Sequence, residues 1–122
     1  MGLAARHLEA NGIPTVIMGC AKDIVEHCGV PRFVFSDFPL GNSAGRPFDV
    51  ESQTLTLELA LRLLESAPAA RTTVHSPQRW AADGGWKRNY LDVAKLSPEE
   101  IVERRKEFEV VKAVAKAKRE GA

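Results

Sequence analysis

Arg32-Phe33-Val34-Phe35-Ser36-Asp37-Phe38-Pro39-Leu40-Gly41-Asn42-Ser43-Ala44-Gly45-Arg46-Pro47 is the stretch that decides the fold of this chain. It opens as a short run of aromatic and β-branched residues, the pattern of a buried strand. Pro39, Gly41, Asn42, Ser43, Gly45 and Pro47 then break it into a loop. Helical periodicity starts directly afterwards, near Asp49. A strand that feeds a helix through a Gly-rich loop is the junction at which open α/β sheets bind ligands, outside the carboxyl ends of their strands.

Downstream of the loop, the pattern predicts a helix over 49–65. Asp49 is placed to cap it, and Glu51 suits the positive end of its dipole. Apolar residues occupy 50, 55, 57, 59, 60, 61, 63 and 64 and leave only a narrow polar stripe. Such a helix is expected to be buried on more than one side, in part by another chain. Ala67-Pro68 ends it. A third strand is predicted over 71–75, and Ser76-Pro77-Gln78-Arg79-Trp80 leads away from it. Residues 81–93 read as irregular. Trp80, Trp86 and Tyr90 lie here with Arg79, Lys87 and Arg88, the residue types that anchor subunit interfaces.

Upstream, Thr15-Val16-Ile17-Met18 reads as a short buried strand, and 21–28 as one or two helical turns stopped by Gly29. Leu3 to Ala10 reads as a helix with Leu3, Ala4 and Leu8 on its apolar face, ended by Asn11-Gly12. His7 is expected to pack in the core rather than to act as a ligand. At the other end, Ser97-Pro98-Glu99-Glu100 has the form of a capping box with Pro at the first helical position. The helix it starts runs to about Arg119, with a thin apolar stripe among many charges. Its basic cluster, Lys112, Lys116, Lys118 and Arg119, reads as a solvated face.

The resulting fold class is α/β: a small parallel sheet with flanking helices, resembling the later part of a doubly wound domain, plus a long C-terminal helix. The predicted division is an α/β domain over 1–93 and a helical arm over 94–122. The chain has 122 residues, with 17 basic against 16 acidic side chains. That balance argues against a nucleic-acid or membrane-surface binder. No apolar run approaches a membrane span and no signal-peptide core is seen, so a cytoplasmic location is expected. Cys20 and Cys28 are too few for a disulfide framework and are expected to be reduced thiols.

In a parallel sheet the strand ends lie along one rim, which brings Cys20, Asp37 and His75 to the same edge. A thiol, a carboxylate and an imidazole have the makings of nucleophile, orienter and base. Equally, Cys20 fits a small buried residue, Asp37 a loop cap, and His75 the hydrogen-bonded end of a strand. Gly41, Asn42, Ser43 and Arg46 form a candidate anion cradle for a carboxylate-bearing small molecule, next to the start of a helix. A merely structural turn fits the same residues. The loop matches neither the Walker A nor the dinucleotide pattern. Cys20, His27, Cys28 and His75 lack paired ligand spacing, so no metal site is assigned.

Gly12-Ile13-Pro14-Thr15-Val16 and Phe38-Pro39-Leu40-Gly41-Asn42 together resemble the selenoprotein B family of glycine, sarcosine, betaine and D-proline reductases. The likeness covers about residues 2–65 and reaches loosely to Trp80-Trp86-Lys87. Its short stand-alone members look most similar, and they resemble partners of a second (seleno)protein with a U-G-S-C motif. In the full reductases, the resemblance implies, this component reductively cleaves a C–N bond next to a carboxylate. A selenocysteine in a U-x-x-C-type motif takes part there, and a pyruvoyl group on another subunit activates the amine. No such motif occurs here, and neither Cys20 nor Cys28 matches the reactive position. The expectation is therefore a small subunit of a hetero-oligomeric reductase- or lyase-like enzyme. A Cys- or Sec-bearing partner would supply the redox group and this chain the loop. A non-catalytic scaffold, or a self-sufficient enzyme built on Cys20, His75 and Asp37, are the alternatives.

Overall fold

In the computed structural model, residues 1–91, 94 and 96–121 are described, without the side chains of Asn89, Tyr90, Leu91, Lys118 and Glu120. The interface reading of Tyr90, the place of Lys118 in the basic cluster and the expected boundary at residue 93 lie outside the described residues. The chain divides into two compact units, Met1–Ala82 and Asp83–Ala122.

The first unit runs α1 (Gly2–Ala10), β1 (Ile17–Gly19), α2 (Lys22–His27), β2 (Arg32–Phe35), α3 (Val50–Ser66) and β3 (Thr72–His75). The strands form one parallel sheet in the order β1-β2-β3. Its register aligns Ile17 with Phe33 and Thr73, and Gly19 with Phe35 and His75. Ladder hydrogen bonds continue one residue past the strands, from the Ser36 amide to the Gly19 carbonyl at 3.0 Å and from the Ser76 amide to that of Phe35 at 2.8 Å. The three carboxyl ends therefore form one rim.

Alternation sorts the two sheet faces. Val34, fully buried, packs with Ala60 and Leu63 of α3, and Val16, Met18 and Val74 close around them. Burying a side chain of this kind is worth about 1.5–3 kcal/mol. The opposite face carries Phe33, Phe35 and His75 in a row of ring contacts. There α2 is tied across the sheet by a 2.9 Å hydrogen bond from the Thr73 hydroxyl to Glu26. At the amino edge, Glu9 of α1 accepts from the Thr15 amide at 2.6 Å and pairs with Arg32.

Three local expectations differ from what is observed. The buried residue of α1 is Ala5, while Leu3, Leu8 and His7 are exposed; the helix is too short and its neighbour too small to cover a leucine face. Within the single chain helix α3 is buried along one side, by Ser52, Thr56, Ala60 and Leu63, whereas Val50, Leu57 and Leu61 are 74%, 51% and 52% exposed. The third difference is in the second unit, where α4 (Gly85–Leu91) replaces the irregular stretch. Gly84 and Gly85 mask its start in the sequence, and Asp83 supplies the acceptor for the Gly85 amide at 2.9 Å. Helix α5 (Pro98–Glu120) begins with the reciprocal Ser97–Glu100 capping box. Among the described residues, no helix is long and apolar enough to cross a membrane.

Candidate functional site

The site is built on the rim beside β1. After Phe35 the chain makes a tight turn, with the Phe38 amide donating to the Ser36 carbonyl at 2.8 Å. Pro39 to Asn42 then form a β-turn closed by the Asn42 amide on the Pro39 carbonyl at 3.2 Å. The φ of +96° at Gly41 falls at the third position of that turn, which is why the motif has a glycine there. The Asn42 side-chain amide donates to the same Pro39 carbonyl at 3.0 Å and locks the turn. Gly45, at φ +113°, lies directly on the backbone of Ser52 and Gln53 in the first turns of α3. Any Cβ there would collide with the helix.

This folding wraps the loop around Cys20. The Ser43 hydroxyl and the loop backbone at Phe38 and Asn42 lie near its thiol and favour the charged form. Burial nevertheless pushes the Cys20 thiol up, and the negative charge of Asp37 adds to that; together they outweigh these groups. The thiol is therefore protonated at neutral pH. Beside it opens a cleft of about 480 Å³ whose walls include Met18, Gly19, Cys20, Leu40, Gly41 and Ser43. A small carboxylate-bearing molecule fits that volume.

A strap from the far end of the sheet fixes the loop. Gln78 accepts from the Ser52 hydroxyl at 2.5 Å and donates to the Thr56 hydroxyl at 2.8 Å. Ser52 and Thr56 are 2% and 0% exposed, so this polar network is buried. Ser52 Oγ also accepts the Arg46 amide at 3.0 Å. One residue on, the Arg79 carbonyl accepts from the Arg46 guanidinium at 3.3 Å, and Trp80 meets Phe38 edge-on at 5.5 Å. Asp49 caps α3 through the Ser52 amide at 2.9 Å and pairs with Arg46 at 2.8 Å.

The residues expected to act together divide into two groups. Cys20, Gly41 and Ser43 line the cleft, and Asp37 is close enough to act on the thiol by its charge. His75 sits elsewhere. Its ring packs edge-on against Phe35 at 5.2 Å, and β2 separates its strand from β1, a spacing of roughly 10 Å. Asn42 donates to the Pro39 carbonyl and Arg46 to the Arg79 carbonyl and Asp49, while Arg46 Nε is buried without a partner among the described residues. Among the described residues, no three of His, Cys, Asp and Glu converge as a metal-ligand set. Sequence reasoning missed Gln78, Ser52 and Thr56. The available signal was polar residues at 52 and 56, i and i+4 on a helix otherwise rich in leucine, which marks a buried polar face.

The comparisons with known proteins bear on what this site serves. No family model matches the chain, and no solved structure matches it. It is 32% identical over 80 residues, 66% of its length, to the D-proline reductase subunit gamma of Acetoanaerobium sticklandii. The chain spans about a third of the length of that curated relative. The similarity supports a relationship to this reductase family, at a coarser level than the selenoprotein B resemblance carried by the two motifs.

Proposed function

We propose that the chain is a small subunit of a cytoplasmic, hetero-oligomeric reductase. It would act on a small carboxylate-bearing amine, D-proline being the first to try. In this reading the loop over 38–46 and Cys20 form one wall of a site completed by a Cys- or Sec-bearing partner. The observation that carries it is that the half-buried Cys20 thiol and Ser43 of the loop line one substrate-sized cleft. The similarity to a D-proline reductase subunit supports the same assignment.

The chemistry asked of this chain is modest. Ser43 and the Gly41 turn present polar groups to the substrate carboxylate. Leu40 and Met18 exclude water from one side. Cys20, protonated in the free chain, is placed to hold a proton beside the reacting centre, and its thiolate would form only once a partner's charge offset the cost of burial. His75 has no part in this reading, because its ring is committed to Phe35 on the other face of the sheet.

The test is purification of the native complex through a tag on this chain, followed by reductive turnover of D-proline by wild type and by Cys20→Ser and Ser43→Ala. A stoichiometric partner with a redox-active Cys or Sec, and a loss of turnover of ten-fold or more with assembly intact, is the expected result. Recovery of the chain with no second protein, or full turnover by both variants, sinks the proposal.

A further inference from the structure

Helix α3 packs Leu63 on its own sheet but turns a second apolar line away from it. Val50, Leu57 and Leu64 lie seven residues apart on one line, with Leu61 beside them. All but the half-buried Leu64 are exposed. The line spans about 21 Å. Glu51, Glu58 and Glu65 run parallel to it, also seven apart and all exposed. An apolar seam with one charged edge is the pattern of a helix that packs against another helix. Nothing in the first unit covers it.

Helix α5 carries the complementary pattern. Ile101, Phe108 and Ala115 lie seven apart with Val111 beside them, and Phe108 and Val111 are each 65% exposed. Their flanking line is Arg105, Lys112 and Arg119, again seven apart and all exposed. Lys112 has a long, exposed contact to Glu109 at 3.8 Å within its own helix. In an antiparallel pair, the edge line of one helix faces the corresponding edge line of the other. Pairing α3 with α3 would set glutamates against glutamates, and pairing α5 with α5 would set bases against bases. Pairing α3 with α5 sets three acids against three bases at matching intervals.

We propose that the occupant of the α3 seam is α5 of a second copy of this chain, packed antiparallel, and that the two copies exchange these contacts reciprocally. Each dimer then has two α3–α5 seams, with Glu51, Glu58 and Glu65 of one copy facing Arg105, Lys112 and Arg119 of the other. The proposal stands apart from the reductase reading, since it concerns how two copies associate and not what the cleft binds.

Sedimentation of the purified full-length chain at tens of micromolar tests it, with far-UV circular dichroism as the folding check. Wild type is expected to be a dimer whose dissociation constant rises about ten-fold or more between low and high salt. Glu51→Lys/Glu58→Lys/Glu65→Lys and Arg105→Glu/Lys112→Glu/Arg119→Glu should each weaken dimerisation roughly a hundred-fold or more. Mixed in equal amounts, the two variants should restore the dimer, because both seams are again complementary. The chain carrying all six substitutions should dimerise alone and serves if either triple variant folds poorly. A monomeric wild type, as would follow from α5 docking within its own chain, overturns the proposal. So does a dimer indifferent to salt and charge reversal, or a mixture and a six-fold variant that both stay monomeric.

Discussion

Gly45→Ala is the sharpest perturbation of the loop. The added Cβ would sit 2.8 Å from both Cα and N of Gln53 and 2.9 Å from the carbonyl carbon of Ser52. That is about 0.6 Å inside ordinary contact, and the obstacles are helix backbone, which cannot rotate out of the way. A non-glycine residue held near φ +113° adds strain of about 1–3 kcal/mol. Over-packing adds about 1–3 kcal/mol more. We expect a loss of about 3–5 kcal/mol from the first unit. Gly41→Ala is the control: its φ is also positive, but a Cβ there meets nothing within 4 Å, so only the conformational cost of about 1–2 kcal/mol applies. Urea unfolding followed by Trp80 fluorescence in a Trp86→Phe background reads the right unit, because Trp80 packs on Phe38 of the loop. A Gly45→Ala loss no greater than that of Gly41→Ala would refute the reasoning that the second loop glycine exists to let the chain touch α3.

Three further outcomes follow from the site and its supports. Gln78→Leu strands the hydroxyls of Ser52 and Thr56 in a buried position and should cost about 2–3 kcal/mol, whereas Gln78→Glu should cost less at acidic pH than at neutral pH; urea midpoints at two pH values check both. The Thr15 amide, with the Arg32 guanidinium beside it, holds the Glu9 carboxyl below its usual value near 4.5 against the opposing effect of burial. The folded state thus binds that proton less readily than the unfolded chain, so the contribution is complete above about pH 4.5 and fades as pH falls below it. Glu9→Gln should flatten the acid limb of a stability-against-pH curve and leave the neutral-to-alkaline shape unchanged. In a Cys28→Ser background, alkylation of Cys20 should still accelerate above pH 9, the ordinary thiol value, because burial holds its pKa higher; a rate that levels off below pH 9 contradicts the packed geometry.

The sheet was legible because its signals are local and agree with one another. Phe33-Val34-Phe35 and Thr72 to His75 are β-prone runs bounded by breakers, and the caps at Asp49 and Ser97 are side-chain hydrogen bonds set by sequence spacing alone. What the sequence hid was direction. Hydrophobicity along α3 says that leucines are present, but not that Ser52 and Thr56 would turn inward while Val50, Leu57 and Leu61 turn outward. That orientation is set by Gln78, more than twenty residues away, and by the contact of Gly45 with the helix. His75 stands apart from Cys20 for a related reason. Adjacency at a rim follows from topology, but contact between side chains depends on which face each occupies and on how many strands lie between them.

The same long-range constraints narrow the choice of residues that meet a ligand. A donor already used to build a loop is a weak candidate for binding, because a ligand must replace a bond that holds the loop in shape. By that criterion Asn42 and Arg46 hold the loop in shape, and Asp49, Gln78 and Arg79 support it around them. Ser43 and Cys20 line the cleft together instead, with the Ser43 side chain near the thiol. A carboxylate entering beside Leu40 would take the Ser43 hydroxyl and leave the Cys20 thiol bordering the substrate. The order of effects expected in the assembled complex is then specific: Ser43→Ala raises KM, Cys20→Ser lowers kcat, and Arg46→Lys, which keeps the charge but loses the planar fork that spans Asp49 and the Arg79 carbonyl, lowers stability before it touches either.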